Sequence, residues 1–303
     1  MSVRPSRLSA TLAAWRIARR DAMRHKGRSL LVMVMIGLPV SCVVFADVVW
    51  RTSDLSPSQR ADQLLGDHAD ALVQQAFPGA TDVSQTVDPE RDGWQTSQGA
   101  STGTQVSVVG SGDDLGPAAL PSGWTSVSRE TIGYARFLSA DEDRVAPAEL
   151  LEFRYADPLV AGLVTQLDGR APSDQDEAVV TRPLADRLDL GVGDTLIPSD
   201  RSQSFAVVGV VELPADLNSE IVIADPGALS GLVDGRQKTD FGPSSIPALF
   251  VDAGGPVTWD QVRELNGQGF VVTSRAVLLD PPPCGGPEAP LCPESMLGEE
   301  AAR

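Results

Sequence analysis

Gly99-Ala-Ser101-Thr-Gly103 carries the letters of the turn that presents a nucleophilic serine in many hydrolases. That chemistry needs a strand before the serine, a helix after it and a histidine base. The flanks here read as polar loop, and the chain holds only two histidines, His25 and His68. His25 falls in a basic N-terminal segment, which leaves His68 alone and argues against serine catalysis. Asp141-Glu-Asp143 and the trio Asp174, Asp176 and Glu177 offer oxygen ligands for calcium, but neither has the spacing of a known loop. Solvated acidic turns are the better reading of both. The sequence contains no Gly-x-x-x-x-Gly-Lys-Ser/Thr phosphate loop, so the chain is not its own ATPase. No catalytic residue, cofactor or metal site is expected, and the chain does not read as an enzyme.

Cysteine chemistry is more promising. Cys284 and Cys292 lie eight apart in Pro281-Pro-Pro-Cys-Gly-Gly-Pro-Glu-Ala-Pro-Leu-Cys-Pro293. A metal centre needs more ligands than two lone cysteines supply. A disulfide between them would close a short loop and add about 2–3 kcal/mol of local order. Two free thiols are the alternative. The third cysteine, Cys42, sits in an apolar run and is expected to be inert there.

That run is the element around which the chain is organised. Arg24-His-Lys26-Gly-Arg28 leads into eighteen uncharged residues, 29–46, followed by Asp47 and Trp50. At helical rise, eighteen residues reach about 27 Å, close to a bilayer core. A charge at mid-membrane costs about 3 kcal/mol, which makes so long an uncharged run hard to explain in a soluble protein. Residues 29–50 are therefore expected to form a transmembrane helix kinked at Pro39. A cleaved signal peptide ending at Val44-Phe-Ala46 and a buried soluble helix are the weaker alternatives, because the basic region and the apolar run are both long for a signal. Arg19-Arg20 lacks the hydrophobic pair expected of a twin-arginine signal.

Charge gives the direction. Residues 1–28 hold eight Lys and Arg against the single acid Asp21, while the whole chain carries −17. Basic clusters beside a span stay cytoplasmic, so the N-terminus is expected inside and the body outside, where disulfides persist. Leu8, Leu12, Trp15, Ala18 and Ala22 recur at helical spacing, with arginines mostly elsewhere on the wheel. Residues 8–23 thus read as an amphipathic helix in the headgroup layer. Trp15, Arg24, Lys26, Arg28 and Trp50 are the candidate membrane-interface residues, and the lipid bilayer is the first expected partner. The acidic body excludes nucleic acid as another.

The body, residues 51–280, reads as mixed α+β, with a Pro/Gly-rich linker and short terminal helix at 281–303. A polar start (52–67) precedes strands at 69–75 and 105–109, strand and turn at 124–137, and a strand at 150–155. A short helix is expected at 158–163. The signals then sharpen: strand 177–181, helix 184–188 ending at Gly191, strands 195–197, 204–211 and 220–224, and a helix at 226–232. Strand 248–252 is followed by Thr258-x-x-Gln261, a capping box for a helix to Asn266, and then strand 270–273.

Leu167-Asp-Gly-Arg-Ala-Pro172, Asp176-Glu-Ala-Val-Val-Thr181, Leu184-Ala-Asp-Arg-Leu-Asp-Leu-Gly-Val-Gly-Asp-Thr-Leu196 and Phe205-Ala-Val-Val-Gly-Val-Val211 together resemble the extracytoplasmic core domain of the FtsX-like (MacB-type) ABC transporter permeases. Trp15-Arg-Ile-Ala-Arg-Arg-Asp-Ala-Met-Arg-His-Lys-Gly-Arg-Ser-Leu-Leu31 resembles the same family's approach to its first membrane helix. The two blocks stand in the family's order, and the composition suggests an actinobacterial-type member. The resemblance implies an α+β body like the MacB periplasmic core. It also implies a subunit that engages a substrate or partner outside and relays motion from a separate cytoplasmic ABC ATPase. The turn residues Gly169, Gly191, Gly193 and Asp194 are expected to be architectural. The family continues into three more membrane helices, whereas this chain stops at Arg303. An incomplete permease needing other permease segments or chains is thus the expectation. The alternative is a single-pass anchored binding or sensor domain without transport activity.

Overall fold

The structure, a computed structural model, describes residues 31, 34–35, 37–45, 55–76, 80–96, 99–101, 120–139, 141, 143–232, 246–286 and 288–293. It divides into two units, 1–55 and 56–303. In the first, every described residue of the apolar run is helical, and Leu31, Met35, Leu38, Val43 and Phe45 are exposed. Among the described residues no helix is long and apolar enough to cross a membrane. The rest of the span expected at 29–50, the helix expected at 8–23, and Trp15, Arg24, Lys26, Arg28 and Trp50 lie outside the described residues.

The second unit is mixed α and β. It opens with α1 (Pro57–Leu65), where Ser56 and Gln59 form a reciprocal capping box and Pro57 takes the first turn. β1 (Ala71–Gln75) follows. A small three-stranded sheet comes next: β2 (Ser84–Gln85), α2 (Pro89–Asp92), β3 (Trp94–Thr96) and β4 (Gly99–Ser101), in the order β2-β3-β4. The larger sheet takes β5 (Thr125–Leu138), β6 (Val145–Phe153), β7 (Thr165–Gly169) and β8 (Glu177–Thr181). It continues with α3 (Arg182–Leu188), β9 (Thr195–Pro198), β10 (Phe205–Glu212), β11 (Ile221–Ala224) and β12 (Ile246–Asp252). α4 (Trp259–Asn266), β13 (Phe270–Ser274) and α5 (Arg275–Leu279) complete the order.

Strand order in the large sheet is β13-β1-β12-β5-β6-β11-β8-β10-β7, and β9 pairs with both β10 and β5. Through Leu196 opposite Phe205 and Ile197 opposite Leu138, β9 closes β5, β6, β11, β8 and β10 into a six-stranded barrel. Its interior is a packed core of Phe137, Ala148, Leu150, Val180, Leu196, Phe205 and Val222. Closure removes sheet edges, and β-branched residues on β8, β10 and β11 suit it. Beyond β5, strands β12, β1 and β13 form an open wing. One face carries Leu72, Ala248 and Phe250, which cluster with Phe153 and Ile223 of the barrel strands, and the other packs α4 and α5 through Val262, Leu265 and Val277.

Arg275 ties the wing's outer end together. Its guanidinium donates to Asp62 Oδ1 (2.7 Å), to the Ala69 carbonyl (3.0 Å) and to the Gly66 carbonyl, while its amide donates to the Asp70 carbonyl (2.9 Å). α1 packs against α5 at this point.

Several expected elements change. The strand and turn at 124–137 is one fourteen-residue strand with a bulge at Ile132, between Thr131 and Gly133. The helix expected at 158–163 is a single 3-10 turn, Pro158–Val160. Residues 226–232 form turns instead of a helix, because Gly227 sits at φ +89° and stops a helix at its start. α3 ends at Leu188, before Gly191: Asp189 takes the left-handed position (φ 56°) and its amide donates to the Ala185 carbonyl. The polar start holds α1. The strand expected at 105–109 and the terminal helix at 294–302 lie outside the described residues.

Candidate functional site

The block 167–211 that carries the family resemblance folds as one continuous run, β7-β8-α3-β9-β10. Two of its glycines, Gly169 and Gly209, act through close backbone approach. A Cβ on Gly169 (φ +71°) would lie 2.1 Å from the Val208 carbonyl oxygen, and one on Gly209 would lie 2.6 Å from the Arg170 carbonyl oxygen. The two glycines pair across β7 and β10, where no side chain fits. Asp194 accepts the Gly191 amide at 2.7 Å, while the Gly193 amide donates to the Val207 carbonyl at 2.8 Å. These turn residues brace the strand junction.

Of the proposed acidic ligands, Glu177 is already occupied. Arg170 grips both its oxygens, one at 2.7 Å, and the Ser173 amide and hydroxyl donate at 2.9 and 3.1 Å. The Arg170 hydrogen bond, then the Ser173 amide, hold its carboxyl down at about 2. Asp141 and Asp143 both accept from the Ser139 hydroxyl, at 2.7 and 3.1 Å. Among the described residues no group of His, Cys, Asp or Glu is arranged to hold a metal ion. Ser101 is a strand residue of β4, opposite Trp94.

His68 lines an open cleft of about 590 Å³ at the end of the wing, with Asp70, Thr125, Ser126, Asp157 and Asp252. Each aspartate already serves a turn: Asp70 accepts the Ala253 amide, Asp252 the Gly254 amide and Asp157 the Leu159 amide. A second cleft of about 330 Å³ shares Asp157 and adds Phe153, Arg154, Tyr155, Pro172 and Asp225. Tyr155 donates to Gln166 Oε1 at 2.6 Å, and burial pushes its hydroxyl up to about 12. The two clefts meet at the 154–158 turn, which no motif marked in advance; Asp157-Pro158 read only as the start of a short helix.

A charged group lies on the wing face near α2. Arg129 sits over the Phe250 ring at 5.7 Å and feels the charges of Glu90 of α2 and Glu149 of β6. Burial lowers the Arg129 guanidinium, with both carboxylates opposing. Burial raises Glu90 and Glu149, with Arg129 as the main opposing charge. Arg60 joins α1 to this corner through Asp88, at 2.7 and 3.3 Å. The Asp88 carboxylate also caps α2 by accepting the Arg91 amide.

Cys284 and Cys292 are bonded to each other, Sγ–Sγ 2.08 Å, with Cα atoms 5.2 Å apart. The enclosed loop is not a free linker. The Trp259 indole N–H donates to the Glu288 carbonyl (2.8 Å), Arg263 lies 3.4 Å from the Glu288 carboxylate, and the Leu291 amide donates to the Gln85 carbonyl (2.9 Å).

Compared with solved structures, the chain is similar to a domain of a protein described as a permease from Porphyromonas gingivalis. The TM-score is 0.36 at 13% identity, over 68% of this chain and 89% of that one. It is also similar to the extracellular domain of the noncanonic ABC-type transporter YknZ from Gram-positive bacteria. There the TM-score is 0.34 at 14% identity, over 50% and 82%. Both are transporter or permease domains. No protein-family model and no curated protein matches the chain.

Proposed function

We propose that this chain is a permease-type subunit of an ABC transporter, anchored by residues 29–50. Its α+β body lies outside the membrane and engages a substrate or partner protein there. One observation carries the reading: a basic cluster running into an uncharged apolar run, followed in the family's order by the 167–211 block. In that block, β7-β8-α3-β9-β10, Gly169 and Gly209 serve strand contact, which supports an architectural reading over a ligand loop. The paired clefts at the 154–158 turn are the body's candidate contact surface. The body performs no covalent chemistry in this reading. Motion from a cytoplasmic ATPase reaches it through the anchor and through membrane helices of the same assembly.

The test is to tag the chain in its native membrane, solubilise it gently and identify what stays bound. The expected result is an ABC ATPase and a multi-span permease polypeptide, with the body cleaved by protease added outside intact cells. Protection of the body from that protease overturns the orientation. Recovery without any ATPase, in cells where the body is exposed, favours the single-span binding or sensor domain instead.

A further inference from the structure

The disulfide-closed loop is docked on the wing by few contacts, and its position matters to one edge of the large sheet. β13 is that sheet's last strand on the wing side, and its outer edge is covered by a side chain in place of a strand. The buried Gln85 amide accepts the Val272 N–H (2.8 Å) and donates to the Val272 carbonyl (2.7 Å), as a neighbouring peptide unit would. Asn266 donates to the same Gln85 oxygen at 2.8 Å. The backbone of Gln85 is held in turn from the loop, by the Leu291 amide. The loop also forms one wall of a groove of about 360 Å³, facing Gln85, Trp259, Arg263 and Asn266.

Among the described residues, the contacts of Glu288 and Leu291 and a small buried area hold the loop there beside the bond. Pro290 is its one buried residue among those described, and Cys284, Gly285, Gly286 and Glu288 are exposed. So little burial does not offset the entropy of ordering such a segment. A crosslink across eight residues restricts the undocked loop and favours docking on the order of a hundredfold.

We propose that the Cys284–Cys292 disulfide is a redox-operated clasp: closed, it holds the loop as a groove wall and as a support for Gln85, whose side chain covers the edge of β13; reduced, it releases the loop while the rest of the body stays folded. The step is thiol–disulfide exchange with a dithiol. A thiolate of the reductant attacks one sulfur of the bond and forms a mixed disulfide. Its second thiol then resolves this, leaving Cys284 and Cys292 as thiols and the reductant as a disulfide, with two electrons and two protons transferred. The exposed Cys284 gives the reductant access. The inference is independent of the transport reading, since it concerns one loop and one sheet edge.

The experiment is hydrogen–deuterium exchange on the full chain in detergent, with and without excess dithiothreitol, and on the C284S/C292S variant. Exchange in peptides covering 281–293 is expected to rise at least tenfold on reduction. Peptides covering 82–87 should follow more weakly, with 177–181 and 205–212 unchanged. The variant should match the reduced protein without reductant. Unchanged exchange at 281–293 in both the reduced protein and the variant overturns the proposal, because the loop then docks without its bond. Lost protection in the barrel strands overturns it equally, because the bond would then be holding the whole body.

Discussion

Glu177 shows how the environment of one side chain sets a pH response. Its carboxyl, held at about 2 by Arg170 and then Ser173, binds its proton more weakly in the folded chain than in the unfolded one. Such a group contributes stability above its ordinary value, and the contribution is lost as pH falls through the folded value. Body stability is therefore expected to decline between about pH 4.5 and 2 in part through this residue. In Arg170→Met the Glu177 carboxyl, followed by carbon-13 NMR, should titrate back toward the ordinary carboxylate range. A midpoint still near 2 in that variant would show that Arg170 is not the cause. Glu90 has the opposite sign: burial raises it, so its effect on stability turns unfavourable as pH rises through the raised value. The acids at 174–177 read in the sequence as solvated turns, and Glu177 departs from that because Arg170 lies on the preceding loop. Seven positions of chain separate them, and no local spacing rule announces such a pair.

At the scale of elements, the ends of the barrel depend on a few polar contacts. Glu152, at the end of β6 and buried, accepts the amides of Gly227 (2.6 Å), Leu229 (2.7 Å) and Ser230 (3.1 Å). The carboxylate thereby fixes the turn that pushes Leu229 into the barrel core. Glu152→Gln keeps one acceptor and turns an amide toward N–H donors. It should cost about 2–3 kcal/mol in urea unfolding; a loss below about 0.5 kcal/mol would mean the turn holds without the charge. That plug explains what was and was not legible. Strands with runs of β-branched residues, such as Glu177–Thr181, and the box at Thr258-x-x-Gln261 could be read directly. The identical logic at Ser56-x-x-Gln59 passed unread because α1 buries only Ala61 and Leu65 and looks polar. The two- and three-residue strands of the small sheet have no periodicity to read. Barrel closure by β9 is a long-range pairing, invisible to local pattern.

For the body as a whole, β5 is the shared element, with the barrel on one side and the wing on the other. The tryptophans Trp94, Trp124 and Trp259 all pack in the wing or beside the small sheet, whereas Phe205 is buried in the barrel. If the shared strand makes the body one cooperative unit, a barrel mutation must be felt by wing tryptophans. Phe205→Ala is expected to cost about 3–5 kcal/mol and to shift the fluorescence and far-ultraviolet transitions together. A fluorescence transition that stays in place while the circular dichroism moves would show two independent parts. The small clefts at the 154–158 turn, by contrast, have no sequence signature. The first arises where the 157–159 turn meets the starts of β1 and β5 and the end of β12, and the second where the end of β6 meets Ala171, Pro172 and Asp225.

The clamp made by Arg275 has a mechanical consequence. β1 and β13 are antiparallel neighbours with Ala71 opposite Ser274, so the chain enters one strand and leaves the other at the same place. Tension between those two points pulls the pair apart one hydrogen bond at a time, like a zipper, instead of loading the whole ladder in shear. Arg275 sits at the zipper's open end, spanning Asp62, Gly66, Ala69 and Asp70. Arg275, together with the packing of α1 on α5, thus resists the first parting of the wing, and the closed barrel lies off the path of the load.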